Sequence, residues 1–181
     1  MNTLISQLER IASVRNILLA LVVMLFFSIG VMPYAEKTIS AAAGRPITIP
    51  DLTLSYSAAA LQGYFAEMGP EGRSLYAFTS CAADIIYPIS MATFWVLLLV
   101  RLRRLSNASP HWLGLLPLFT LAADLSENIF VLKALHHWQN PDVTTVAIAS
   151  SFTSIKWGFA VLTMIVALVL TTRWLIKRRS S

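Results

Sequence analysis

The sequence predicts an all-α protein, an integral membrane four-helix bundle with an outer amphipathic flap helix between helices 1 and 2. Two observations support this fold class. Hydrophobic residues make up 56% of the 181 residues and only 13% are charged, whereas a soluble domain carries roughly a quarter charged residues. The apolar residues also form four long runs, and each run meets the roughly 20 residues that cross about 30 Å of hydrocarbon.

We expect four transmembrane helices in a single membrane domain covering residues 1–181, at about residues 17–35, 74–100, 112–135 and 146–172. The first run contains no charge between Arg15 and Glu36. A cleavable signal peptide is the competing interpretation of that run. Because the run is long for a signal peptide and Pro33-Tyr34-Ala35 is a poor cleavage site, we predict an uncleaved first helix.

The outer loop, residues 36–73, separates the first and second spans. Its first part, residues 38–50, contains Gly44, Pro46 and Pro50 and is predicted to be irregular or extended. A helix over 58–68, capped by Ser55 or Ser57, is then predicted from one apolar stripe: Leu61, Tyr64, Phe65 and Met68. This flap helix would lie on the membrane surface or cover the bundle. Residues 69–73, Gly-Pro-Glu-Gly-Arg, predict a sharp turn into the second span.

The basic residues favour one side of the membrane. Most of them lie before the first span, between the second and third spans, and after the fourth: Arg10, Arg15, Arg101, Arg103, Arg104, Arg173, Lys177, Arg178 and Arg179. This positive-inside pattern predicts a multi-pass membrane protein with cytoplasmic N and C termini. The net charge of +5 therefore reflects topology and the lipid bilayer as partner, and we expect no nucleic acid. A homo-oligomer is left open.

Three carboxylates and one lysine lie inside the predicted spans: Asp84, Asp124, Glu127 and Lys156. One ionised side chain near the bilayer centre costs about 2.5–3.5 kcal/mol even on insertion scales, so four of them suggest a function. A rise of about 1.5 Å per residue from the span ends places all four at nearly the same depth. The third span carries a polar face at i, i+4, i+7 and i+8, which must point into the bundle: Thr120, Asp124, Glu127 and Asn128.

The surroundings of Asp84 predict further polar groups at that depth. Tyr87 lies one helical turn after Asp84, and Pro88 follows it. Because Pro88 has no N–H to donate to the Asp84 carbonyl, we expect a kink and a free acceptor beside the carboxylate. Tyr87 and Asn128 are the expected hydrogen-bond donors. Together with the serines and threonines that precede Lys156, these groups predict a hydrated pocket open to, or near, the outside.

The charge imbalance suggests the activity. One buried cation neutralises one anion, so the remaining acids must be protonated, hydrogen-bonded or matched by a bound cation. We expect the protein to handle protons, a cation or a small cationic or polar ligand at six residues: Asp84, Asp124, Glu127, Asn128, Lys156 and Tyr87.

Two other classes of function stay open. In a membrane-embedded enzyme acting on a lipid or isoprenoid, Glu127 or Asp124 would be the general acid and Asp84 the base. In an assembly or accessory protein, Lys156 would pair with Asp124 or Glu127 only to fix helix register. Whether the protein is an enzyme is therefore undecided.

Neither a cofactor nor a metal is predicted. The single cysteine, Cys81, provides no CxxC pair. His136-His137 lie on a predicted interfacial turn, where adjacent histidines are usually solvated. The sequence contains no HExxH, no GxSxG and no phosphate-binding GxxxxGK motif.

Three motifs together resemble a known family. Gly69 to Tyr76 read GxxGRxxY, Asp84 is followed by Pro88, and the third span contains DxxEN from Asp124. This combination resembles a family of small uncharacterised bacterial four-helix membrane proteins. The resemblance extends roughly from residue 64 to residue 133 and implies a four-helix protein of the bacterial inner membrane with these polar residues as its signature. It implies no substrate and no catalytic assignment.

Overall fold

A computed structural model describes residues 2–47, 53–108 and 110–179. Within these ranges the chain is helical apart from turns and short connections, and it contains no strand. The α-helices, in chain order, are α1 Asn2–Ile11, α2 Val14–Phe26, α3 Met32–Ala43, α4 Ala58–Leu105, α5 Leu116–His136 and α6 Val143–Arg179. A π-helical turn, Phe27–Val31, joins α2 to α3, and a 3-10 turn, His111–Leu115, leads into α5. The predicted all-α class is confirmed.

Within the described residues, four helical stretches are long and apolar enough to cross a membrane: Val14–Ala43, Ala58–Leu105, His111–His136 and Val143–Arg179. Each contains one predicted span and extends beyond it at both ends. The prediction of irregular structure over residues 38–50 is wrong for 38–43, which are helical because charges outside the apolar run do not end a helix; residues 48–50 lie outside the described residues. The first stretch ends where Gly44, with φ of 68°, adopts the left-handed conformation typical of a helix C-terminus.

The flap helix is the first part of α4, Ala58–Met68. The Ser57 hydroxyl caps it by accepting a 3.2 Å hydrogen bond from the Ala60 N–H. Gly69 then breaks the helical conformation with φ of 66° and ψ of 177°, a region that only glycine adopts readily. The predicted helix, one of its two alternative caps and the turn into the second span are all present.

The flap helix covers the bundle, which was one of its two expected positions. Leu61, Phe65 and Met68 are fully buried against residues from α3, α5 and α6. Arg73 holds the turn by donating to the Phe65 carbonyl at 2.8 Å, and its guanidinium lies 3.9 Å from the centroid of the Trp138 ring. One end of the bundle, which we call the flap end, is therefore closed by a well-packed apolar layer.

The α4 helix is the central element of the bundle. Helices α2 and α3 pack on one part of it, while α5 and α6 pack on each other and on α4. At the end opposite the flap, α1 is fixed to α4 because Glu9 forms a salt bridge with Arg103, and Arg101 donates to the Ala12 carbonyl at 3.2 Å. This arrangement brings the polar faces of α4, α5 and α6 together in the middle of the bundle.

Candidate functional site

Lys156 joins two carboxylates of α5 at the middle of the bundle. Its Nζ lies 2.8 Å from Asp124 Oδ1 and 2.6 Å from Glu127 Oε2. Asp124 and Glu127 are three residues apart on one helix, so their side chains lie next to each other, and Lys156 reaches both from α6. The sequence left open which acid Lys156 would pair with, and the structure shows that it pairs with both.

The second oxygen of Glu127 is held from the flap end. Glu127 Oε1 accepts hydrogen bonds from Thr153 Oγ1 at 2.6 Å and from the Tyr56 hydroxyl at 3.3 Å. The Tyr56 backbone N–H in turn donates to Ser150 Oγ at 2.9 Å. Glu127 is fully buried as a result. The pocket open to the outside that the sequence suggested is closed on this side, because Tyr56 and the flap helix lie over the polar cluster.

Tyr56 and Thr153 were not among the predicted site residues. Tyr56 lies 71 residues before Glu127 in the chain, just ahead of the flap helix, where no periodic pattern indicates which way a side chain points. The spacing of Thr153 did indicate its position, since it lies three residues before Lys156 and therefore on the same side of α6. It was included only among the serines and threonines that precede Lys156.

Asn128 connects α5 to α4 at Asp84. Its Nδ2 donates a 3.0 Å hydrogen bond to the Asp84 main-chain carbonyl. That carbonyl lacks a helical donor because Pro88, four residues later, has no N–H. The predicted free acceptor is therefore present and is used by Asn128. A break in helical conformation is not found at Pro88: within α4, non-helical dihedral angles occur at Gly69, and Pro88 keeps helical ones.

A cavity of about 310 Å³ lies beside this cluster, between α4, α5 and α6, and Met32 of α3 lines it at one side. Five of the six predicted site residues line it: Asp84, Tyr87, Asp124, Asn128 and Lys156. Glu127 lies behind Lys156 and is not part of the wall. The remaining wall is mostly Met, Trp, Pro and Ala side chains. An apolar cavity of this size with a few convergent polar groups is typical of a small-molecule site.

Three buried polar groups on the cavity wall have no hydrogen-bond partner within the described parts of the chain: Thr120 Oγ1, Trp157 Nε1 and Thr163 Oγ1. An unsatisfied buried polar group costs about 1–3 kcal/mol. Because all three line the cavity, a molecule inside it is placed to satisfy them. Only Thr120 was predicted, as part of the polar face of α5. Thr163 lies seven residues after Lys156, on the same face of α6.

A second cavity, of about 250 Å³, lies between α3 and α4. It shares Met32, Asp84 and Tyr87 with the first cavity and extends to Glu36. Asp84 and Tyr87 therefore stand between two cavities, and Asp84 is 6% exposed.

The formal charges of the cluster leave an excess of negative charge next to the cavity. Three carboxylates and one ammonium sum to −2 when all four groups are ionised. Lys156 is engaged by Asp124 and Glu127, and Asp84 forms no salt bridge within the residues that the structure describes. A low-dielectric cavity lined by such groups concentrates positive charge.

No family model, curated protein or solved structure matches the chain.

Proposed function

We propose that the protein is a multi-pass membrane four-helix bundle that binds a small molecule with one cationic head group in the cavity beside Asp84. The observation that carries this proposal is the position of Asp84, which has no salt bridge to any described residue, on the wall of a mostly apolar cavity. The uneven distribution of basic residues supports cytoplasmic termini, and the flap end then faces outward.

A cationic organic group fits the site better than a hard metal ion. Lys156 already occupies the space between Asp124 and Glu127, which leaves few carboxylate oxygens for a further ion. Calcium takes six to eight oxygen ligands and magnesium a near-ideal octahedron. An ammonium group, by contrast, needs only an acceptor such as Asp84 and an apolar wall for its substituents. Thr120, Thr163 and Trp157 then donate to acceptor atoms of the same ligand.

The proposal is tested by calorimetric titration of the detergent-solubilised protein with benzylamine and with benzyl alcohol, which match in size and differ in charge. We expect a preference for the amine of about 10- to 100-fold, which corresponds to one charge-assisted hydrogen bond. Asp84→Asn abolishes this preference. Glu71→Gln is the matched control because Glu71 lies on the same helix, is exposed and lines no cavity of the site. Equal binding of both probes, or an unchanged preference in Asp84→Asn, contradicts the proposal.

Proton transfer is a second candidate, and one observation favours it. Asp84 borders both cavities, so a proton on its carboxyl group can reach either side of it. Ionisable residues inside membrane helices often belong to proton relays. Proton flux into liposomes is the test: Asp84→Asn and Asp124→Asn abolish the flux if this role is real, and flux that is the same in wild type and both variants removes this candidate.

A further inference from the structure

Building on the proposed function, we infer that the ligand is a long-chain amino alcohol that enters from the hydrocarbon of the bilayer. The cavity opens sideways toward the lipid through a lateral mouth, defined here by Met32 on α3 and Met164 on α6. The amine lies at Asp84, and the chain extends through the mouth into the lipid.

The position of the mouth follows from Met164. This residue lines the cavity and is 48% exposed, so the cavity reaches the surface of the bundle there. The surrounding surface of α6 is apolar, since Val161, Ile165 and Leu168 are 48%, 52% and 68% exposed. A helix surface of this kind faces lipid when the helix crosses a membrane.

Helix packing explains why the wall is open at this point. The first membrane-crossing stretch, which consists of α2 and α3, packs on α4, whereas α6 packs on α5 and α4. Only 6% of the residues in the most apolar part of that first stretch are buried, and only 11% of those in the most apolar part of α6. The two helices therefore stand on either side of the mouth without a packed interface of their own.

The polarity gradient of the cavity gives the orientation of the ligand. Asp84 and Lys156 are 6% and 9% exposed and lie at the buried end, while Met164 lies at the open end. The flap end is closed by Tyr56 over Glu127. A molecule that enters laterally consequently places its charged head inside and its apolar chain outside.

The unpartnered donors define the rest of the head group. Asp84 accepts from an amine, and the hydroxyls of Thr120 and Thr163 can either donate or accept. The Trp157 Nε1–H can only donate, so it needs an acceptor that an ammonium group lacks. A hydroxyl group next to the amine supplies one. An amino alcohol therefore provides a donor for Asp84 and an acceptor for the Trp157 N–H, whereas a simple amine provides only the donor.

Tryptophan fluorescence provides the readout, because Trp95 and Trp157 line the cavity. The protein is placed in phosphatidylcholine nanodiscs and titrated with a dodecyl-chain amino alcohol that carries bromine, which quenches tryptophan. The neutral probe is the dodecyl diol with the same bromines, and the water-soluble probe is a butyl-chain amino alcohol that also carries bromine. We expect the long amino alcohol to quench in a saturable way. In Asp84→Asn the concentration that gives half-maximal quenching should be about tenfold higher, which corresponds to the loss of one charge-assisted hydrogen bond. Trp157→Phe lowers the amount of fluorescence that the ligand quenches, whereas Trp174→Phe, which removes a tryptophan outside the cavity, leaves that amount unchanged.

The mouth is tested by the rate at which quenching develops, with excitation selective for tryptophan. Met164→Tyr narrows the mouth and slows the rate severalfold, and Met164→Ala widens it and raises the rate. Leu168→Tyr is the matched control because Leu168 lies one turn further along the same apolar surface and does not line the cavity.

The outcomes separate this inference from the proposed function. If the butyl-chain probe quenches in a way that depends on Asp84 and the dodecyl-chain probe does not quench, or if both Met164 variants keep the wild-type rate, lateral access of a long-chain ligand is wrong while the cationic site stands. If no probe gives a signal that depends on Asp84, the proposed function itself is wrong.

Discussion

Replacing Lys156 with methionine tests whether its ammonium group stabilises the centre of the bundle. Methionine keeps an unbranched side chain but removes the charge that lies 2.8 Å from Asp124 and 2.6 Å from Glu127. Glu127 is fully buried, so no water compensates for the loss. Removing one partner of a buried ion pair costs about 3–5 kcal/mol, because the other partner is left as an uncompensated charge.

Thermal unfolding in detergent, followed by circular dichroism, measures this loss. For chains of 150–250 residues each kcal/mol lowers Tm by about 2–4 °C, so we expect Lys156→Met to lower Tm by about 6–20 °C. Lys133→Met is the matched control because Lys133 is exposed on α5, and exposed substitutions change the free energy of unfolding by less than about 0.5 kcal/mol.

A compensating variant identifies the cause of the loss. Asp124→Asn and Glu127→Gln, combined with Lys156→Met, remove all three charges and should recover most of the lost Tm. The reasoning is refuted if Lys156→Met is as stable as Lys133→Met, or if the triple variant unfolds at the temperature of Lys156→Met alone.

Three further predictions use the same unfolding measurement. Asn128→Leu leaves a buried carbonyl without its donor and costs about 1–3 kcal/mol; the cost should fall in a Pro88→Ala background, where a helical N–H replaces that donor, and an equal cost in both backgrounds argues against this pairing. Gly69→Ala forces a side chain into a conformation that glycine alone adopts readily, with φ of 66°, and lowers stability by about 1–3 kcal/mol; an unchanged Tm disproves the role of the turn. Asp142 caps the start of α6, where its carboxylate accepts hydrogen bonds from the hydroxyl and the backbone N–H of Thr145; these bonds hold the pKa of Asp142 below its usual 3.8. The capping interaction therefore stabilises the fold in full above about pH 3.8, and this stabilisation is lost as pH falls through the lower pKa that Asp142 has in the folded state. The Tm difference between wild type and Asp142→Ala should therefore shrink on acidification, and a constant difference is the contrary result.

Much of the polar cluster was predictable because the cost of burying charge restricts where charged residues can point. Helical spacing alone places Asp124, Glu127 and Asn128 on one face of α5, and lipid cannot solvate that face. The missing donor at Pro88 follows equally from covalent structure, since proline has no N–H. Both inferences depend on local geometry, which sequence spacing determines.

What sequence spacing does not determine is which side chains meet across the bundle. Asp124 lines the cavity and Glu127 does not, although the two acids share a helix face, because Tyr56 and Thr153 cover Glu127 from other elements. The cavity itself depends on gaps between helices, and a gap leaves no periodic signal. For the same reason Trp157 was not recognised as a wall residue.

Native mass spectrometry of the detergent-extracted protein tests most directly whether the cavity binds a cationic ligand at Asp84. After incubation with the butyl-chain or the dodecyl-chain amino alcohol, wild type and Glu71→Gln should each retain one molecule per chain of at least one probe, and Asp84→Asn should retain about tenfold less of it. Equal retention by wild type and Asp84→Asn, or an empty cavity in all three proteins, would contradict the proposal.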